Sequence, residues 1–300
     1  MDVEINAEMQ LTNASVTRRT IIPTPENRKV GGSLAARISG WPASVRQPRR
    51  IRFGSARDCG TLLRMDVLDT ARQVVAEHFP DAIAAMLAGS AGTAFHTATS
   101  DLDILVFLNG PPAPFRETTR HAGWIVELFV HTPASYPRFI EREISKRRSP
   151  LLHMCGEGRL LIDGNGFGAT IQDQAQHLIE AGPPPLTDGE REDRRYALTD
   201  QLDDLVGSHD EDELVIIGAR LLSFAAELVL LQRRQWLGHG KWLLRRLKGA
   251  DPSLARNLID AYRSLVIHLD TRPLERITRQ VLHQAGGPLM EGYHRAAPPE

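Results

Sequence analysis

Gly182-Pro183-Pro184-Pro185 divides the chain into two stretches with different hydrophobic periods. Three consecutive prolines remove three backbone donors and fix φ at about −65°, so neither a helix nor a central strand can run through them. Before this spacer, short apolar runs alternate with turn signals; after it, apolar residues recur at helical spacing. Such a chain is expected to fold as an α/β (α+β) body, a small mixed sheet with flanking helices, followed by an all-α helical domain.

In the first stretch, Val67, Leu68, Ala71, Val74, Val75, His78 and Phe79 mark an amphipathic helix that opens at Met65 and stops before Pro80. Residues 82–88, 102–108 and 124–130 read as three strands, with a helix over 139–148 and an apolar segment at 159–162. Asn109-Gly110-Pro111-Pro112 is turn chemistry, and residues 109–123 read as a loop. Beyond the spacer, Thr187 and Glu190 spell a capping box at the head of a helix reaching about Val206. Helices over 211–236, 241–248, 252–268 and 274–285 follow, the third announced by Asp251 as N-cap and Pro252 at the first helical position. The expected bodies are therefore 65–181 and 186–294.

Residues 1–64 carry eleven basic against five acidic groups, and the remainder of the chain 25 against 32. With no sustained period and several Pro and Gly breakers, this segment reads as a disordered basic extension, Met65 being an alternative start. The other reading is an arm that touches nucleic acid or anionic lipid. A formal net charge of −1 gives no whole-chain case for nucleic acid. No uninterrupted apolar run reaches the ~18 residues of a membrane span, because the longest candidate, 214–231, contains Arg220 and Glu227. No secretory signal pattern is present, two cysteines make no disulfide framework, and none of the eleven histidines falls in a zinc-ligand spacing. The expectation is a soluble, cytoplasmic protein without a membrane partner.

Chemistry-bearing residues concentrate in 89–103, G-S-A-G-T-A-F-H-T-A-T-S-D-L-D. Strand side chains alternate, so Asp101 and Asp103 share a face, and their mutual repulsion calls for a cation between them. An oxygen-only donor set suits Mg²⁺. Gly89-Ser90 ends the preceding strand, leaving backbone N–H groups and a hydroxyl able to meet phosphate oxygens. Glu127 sits inside the apolar run W-I-V-E-L-F-V, where an unpaired carboxylate costs several kcal/mol and so needs a cation, a proton or water.

The series apolar-Gly-Ser, Ser-Asp-Leu-Asp, then apolar-Glu-apolar resembles the DNA polymerase beta-type nucleotidyltransferase superfamily, over roughly residues 66–290. E-L-F-V-H-T from Glu127 and H-G-K-W-L-L-R-R-L from His239 are similar to bacterial antibiotic nucleotidyltransferase domain proteins of the aminoglycoside and lincosamide type. The resemblance implies Asp101 and Asp103 as Mg²⁺ ligands, with Glu127 as a further ligand or the general base. It further implies Gly89, Ser90, Ser100 and Lys241 as nucleotide-binding residues. The implied reaction moves a nucleoside monophosphate, by default AMP from ATP, to a hydroxylated small-molecule acceptor and releases pyrophosphate. Where many members carry Arg-Gly, this chain has Thr93-Ala94. That departure implies weaker phosphate binding and leaves a catalytically weakened nucleotide-binding protein as an alternative.

Other residues have two readings each. Glu227 is a second candidate base, or the partner of Arg220 seven residues earlier on the same helix face. Lys241 either reaches phosphates or joins a solvated basic face with Arg245, Arg246 and Lys248. Trp236 and Trp242 are expected to pack between helices, and His96 and His131 to be solvated loop residues. Arg234 and His239 have the R-x₄-H spacing of HEPN ribonucleases, which leaves a toxin–antitoxin-type regulatory module or RNase as an alternative.

Overall fold

The structure is a computed structural model in which residues 59–296 are described, except 92, 94, 95 and 98; the side chains are described from Val67 onward. The expected extension lies outside the described residues up to position 58. These residues all fall within one compact unit, Ser55–Glu300.

The first element, α1 (Cys59–His78), begins earlier than the expected start at Met65. Four strands follow: β1 (Ala84–Ala88), β2 (Leu102–Phe107), β3 (Phe115–His121) and β4 (Trp124–His131). Then come α2 (Tyr136–Ser145), α3 (Pro150–Glu157), β5 (Arg159–Asp163) and α4 (Phe167–Ala181). The strands form a mixed sheet in the order β3-β4-β2-β1-β5, with β2 and β4 parallel and the other pairs antiparallel.

Strand alternation sorts the sheet into two faces. Leu102, Ile104 and Val106 of β2, with Val126, Leu128 and Val130 of β4, pack against Val67, Ala71, Val74 and Val75 of α1. Leu105 and Phe107 face the other way, onto Tyr136, Ile140, Leu152, Cys155 and Ala175 from α2, α3 and α4. Three differences from the sequence reading stand out. The supposed loop 109–123 contains β3, a polar edge strand that shows solvent most of its length and so carries no alternating apolar signature. The helix expected at 139–148 is α2, which spans 136–145, and α3 is a further helix outside the expected bounds; each is opened by a proline in its first turn. The helix α4 had no counterpart in the sequence reading.

Past the spacer run α5 (Asp188–Gly207), α6 (Glu211–Gln232), α7 (Lys241–Ala250), α8 (Pro252–His268) and α9 (Arg272–Ala285). The capping box forms as expected: Thr187 Oγ1 accepts from the Glu190 N–H at 3.2 Å, and the Thr187 N–H donates to Glu190 Oε2 at 2.8 Å. Asp251 caps α8 by accepting from Leu254 N–H at 2.9 Å. α6 ends at Gln232 rather than 236, because Arg234 takes a left-handed φ of 53°. Among the described residues α6 is the helix long and apolar enough to cross a membrane, yet Leu214, Leu221, Leu228 and Leu230 are buried in the helical core.

The helical part packs against the α2–α3 connection and α4. Arg147 clamps the spacer by donating to the carbonyls of Pro184 and Pro185 at 2.8 Å each and forming a two-pronged pair with Glu190 at 2.8 and 2.7 Å. Leu237 N–H donates to Arg147 O, and Trp236 is buried with its Nε1 donating to Ile179 O at 3.1 Å.

Candidate active site

Strand register assembles the acids. Asp103 is paired with Ala88 of β1 on one side and Glu127 of β4 on the other, and Asp101 lies two residues before Asp103 on the same side of the chain. One carboxylate oxygen from each of Asp101, Asp103 and Glu127 lies within 4.8 Å of the others, and all three residues are half-buried. Three negative groups so placed raise the cost of ionising any one. Burial first, and then Asp101 and Glu127, push the Asp103 carboxyl up to about 6, against the downward pull of Arg116 and Lys241. Such an oxygen-only, charge-unbalanced set fits a hard divalent cation.

Gly89 follows Ala88 with φ +67°, which an L side chain rarely adopts. Its backbone lies so near the Asp103 carboxylate that an added Cβ would overlap Oδ2. Ser90 is buried, and its hydroxyl lies 3.1 Å from that of Ser100. Ser100 Oγ also accepts from Thr97 N–H at 3.0 Å, while Thr93 Oγ1 donates to Ser90 O at 2.9 Å. The connection between β1 and β2 is thus braced by its own hydroxyls, and Gly89, Ser90, Ser100 and the two aspartates gather at one end of the sheet.

Lys241 opens α7, and its charge acts on Asp103. The structure therefore brings this residue into the electrostatic neighbourhood of the acids from the far half of the chain. Glu227 goes elsewhere: it pairs with Arg194 at 2.6 Å and Arg148 at 3.4 Å. Arg220, its expected partner, stacks instead over Phe224 with its guanidinium 5.0 Å from the ring centroid. Trp242 is flanked by Arg245 and Arg246, at 4.6 and 5.7 Å.

The histidines depart from expectation. His131 is the buried last residue of β4, its ring 4.8 Å from that of Phe139, and desolvation pulls its pKa down. His96 is partly buried beside Trp124, with ring centroids 5.7 Å apart. Arg234 is tied to the spacer through Ala181 O at 3.1 Å and Pro183 O at 3.4 Å, a structural use of the arginine in the R-x₄-H spacing.

Sequence reasoning missed Arg116. Its Nη2 lies 2.7 Å from Glu127 Oε2, and its guanidinium sits 4.6 Å over the Phe129 ring. The register pairs Arg116 with Phe129 and Thr118 with Glu127, so this edge strand delivers its cation to the acidic face. The only sequence signal was the alternation Arg116, Thr118, Arg120 in a stretch read as loop.

No family model and no curated protein sequence matches the chain. Among solved structures, it is similar to a nucleotidyltransferase-like protein from Exiguobacterium sibiricum, with 15% identity, 73% of each chain covered and a TM-score of 0.38. It is also similar to a spectinomycin adenyltransferase from Enterococcus faecialis, solved with ATP and spectinomycin. There the identity is 12%, with 72% of this chain and 98% of that one covered and a TM-score of 0.31.

Proposed function

We propose that the chain is a Mg²⁺-dependent nucleotidyltransferase that moves a nucleoside monophosphate, AMP from ATP, to a hydroxyl of a small-molecule acceptor and releases pyrophosphate. The observation that carries this reading is the convergence of Asp101, just before β2, with Asp103 and Glu127 on paired strand positions beside the glycine turn at Gly89.

In this reading the three carboxylates hold the cation, whose bound charge would neutralise phosphate oxygens and acidify an attacking hydroxyl. Gly89 lets the backbone approach the site without a side chain in the way, and the braced connection holds Ser90 and Ser100 beside it. Lys241 supplies a positive charge from α7 for the phosphates. Arg116 pairs with Glu127 at 2.7 Å, so the cation would share this carboxylate with the guanidinium.

The test is transfer of label from α-labelled ATP across a panel of hydroxylated small molecules with Mg²⁺, alongside pyrophosphate release. Wild type is expected to label at least one acceptor, and Asp101→Asn and Asp103→Asn to lose that activity by several orders of magnitude. Wild-type activity in both variants would overturn the assignment.

A further inference from the structure

Among the described residues one other group of donors converges, and it lies on the opposite face of the sheet from the acids. Glu77 and His78 end α1, and His121 ends β3. One donor atom from each lies within 4.8 Å of the others. His121 Nδ1 stands 3.7 Å from Glu77 Oε2, and the rings of His78 and His121 meet edge-on, with centroids 6.4 Å apart.

Rigid packing underlies this meeting. Phe79, the residue after His78, contacts Phe115 at the start of β3, ring centroids 6.4 Å apart. Phe115 and His121 are six residues apart on one strand and so share a face, the one turned toward α1. His121 is also fixed by its pairing with Trp124 at the tip of the β3–β4 hairpin. The end of α1 and the end of β3 are thus held side by side by apolar contacts that do not involve the three donors.

We propose that Glu77, His78 and His121 form a zinc site that ties the end of α1 to the β3–β4 hairpin. Two imidazoles and one carboxylate are a donor set Zn²⁺ prefers and Mg²⁺ does not. With bonds of about 2.0–2.1 Å, tetrahedral ligand atoms stand roughly 3.4 Å apart. The His121–Glu77 distance is near that already, and the exposed side chains of Glu77 and His78 are free to close the remainder. A water completes the fourth position. The two metal sites of the chain then differ in kind: oxygen-only at Asp101, Asp103 and Glu127, nitrogen-rich at the hairpin. The linear spacing of the histidines hides this second site, because its ligands come from elements separated by two strands.

The experiment uses the full chain stripped with a chelator and titrated with Zn²⁺ by calorimetry and thermal melting, with excess Mg²⁺ present throughout to occupy the oxygen-only site. Co²⁺ is the optical probe, since its visible bands report tetrahedral nitrogen and oxygen ligation. Wild type is expected to bind one Zn²⁺ with a rise in Tm and to give the tetrahedral Co²⁺ spectrum. His78→Gln and His121→Gln should each weaken Zn²⁺ binding by more than the roughly 10–100-fold lost when only a supporting partner is removed. Asp103→Asn should leave Zn²⁺ binding unchanged. Retention of wild-type affinity in both histidine variants would overturn the site, as would a Zn²⁺ response that disappears in Asp103→Asn. Should His121→Gln fold poorly, exposed His78→Gln and the Co²⁺ spectrum of wild type decide alone.

Discussion

A side-chain carbon on Gly89 would overlap Asp103 Oδ2: the turn after β1 and the carboxylate on β2 occupy adjoining space. The glycine also holds φ +67°. Gly89→Ala therefore meets two obstacles at once, a left-handed backbone and a displaced carboxylate. It is expected to destabilise the fold by about 1–3 kcal/mol, the range for one strained backbone site. It should also weaken Mg²⁺-dependent thermal stabilisation, because Asp103 must move. Urea unfolding with and without Mg²⁺ checks both, and an alanine variant with unchanged Mg²⁺ response would separate the turn from the site.

Asp103 makes the metal-free protein sensitive to pH in a direction opposite to that of a salt-bridged acid. Its folded pKa is raised from the ordinary carboxylate value of 3.8 to about 6, chiefly by burial and then by Asp101 and Glu127. The folded state thus holds the proton more tightly than the unfolded one. The resulting stability is fully present below about pH 4 and is lost as pH rises through 6, a swing on the order of 2–3 kcal/mol. Asp103→Asn should flatten this part of the curve relative to wild type. It should also leave the metal-free protein at least as stable at pH 7. Mg²⁺ should raise wild-type stability above pH 6 and leave the variant nearly unaffected. Parallel pH profiles of Tm, with and without Mg²⁺, are the measurement.

What the sequence disclosed followed from how locally each feature is encoded. Asp101, Asp103 and the Gly89 turn lie within fifteen residues, and strand alternation alone places the two aspartates together. Glu127 was visible as a charge inside an apolar strand. The capping box at Thr187 and the N-cap at Asp251 are encoded in four residues each, and both form. Arg116 escaped notice because an edge strand needs only one pairing partner, and FRETTRH has no apolar alternation to betray it. Glu227 was matched to Arg220 by helix period, whereas its partners, Arg148 and Arg194, come from other elements. His131 was read as a loop residue since its strand runs one position farther than its last aliphatic residue. Contacts that tertiary packing creates leave no local trace.

Arg116 and a bound cation compete for the same carboxylate. The guanidinium holds Glu127 Oε2 at 2.7 Å while its own side chain is mostly exposed. Removing it should increase the negative charge around Asp103, since Arg116 pulls that group's pKa down. Arg116→Ala is therefore expected to lower metal-free stability modestly, by about 0–1 kcal/mol as for an exposed pair. At the same time it should tighten Mg²⁺ binding severalfold. Calorimetric titration with Mg²⁺ distinguishes the roles: weaker binding in the variant would show that Arg116 positions Glu127 for the ion instead of competing with it.

Lys241 is a cation of the helical half whose charge acts on Asp103. It opens α7 behind Gly240, and the clamp by Arg147, in the α2–α3 connection, fixes the spacer and the start of the helical half. Its charge lowers the Asp103 pKa, so Lys241→Ala should shift the pH-dependent loss of metal-free stability toward higher pH. If Lys241 also meets the nucleotide phosphates, the variant loses a charge-assisted contact of about 1.5–3 kcal/mol, or roughly ten- to hundredfold in KM for ATP. Lys241→Arg keeps the charge and should retain the pH curve while recovering only part of the KM, because a planar fork replaces a compact ammonium. Two readouts keep the roles apart. A shifted pH curve with unchanged KM would leave Lys241 acting on Asp103 alone, and an unchanged pH curve would show that its charge does not reach the acids at all.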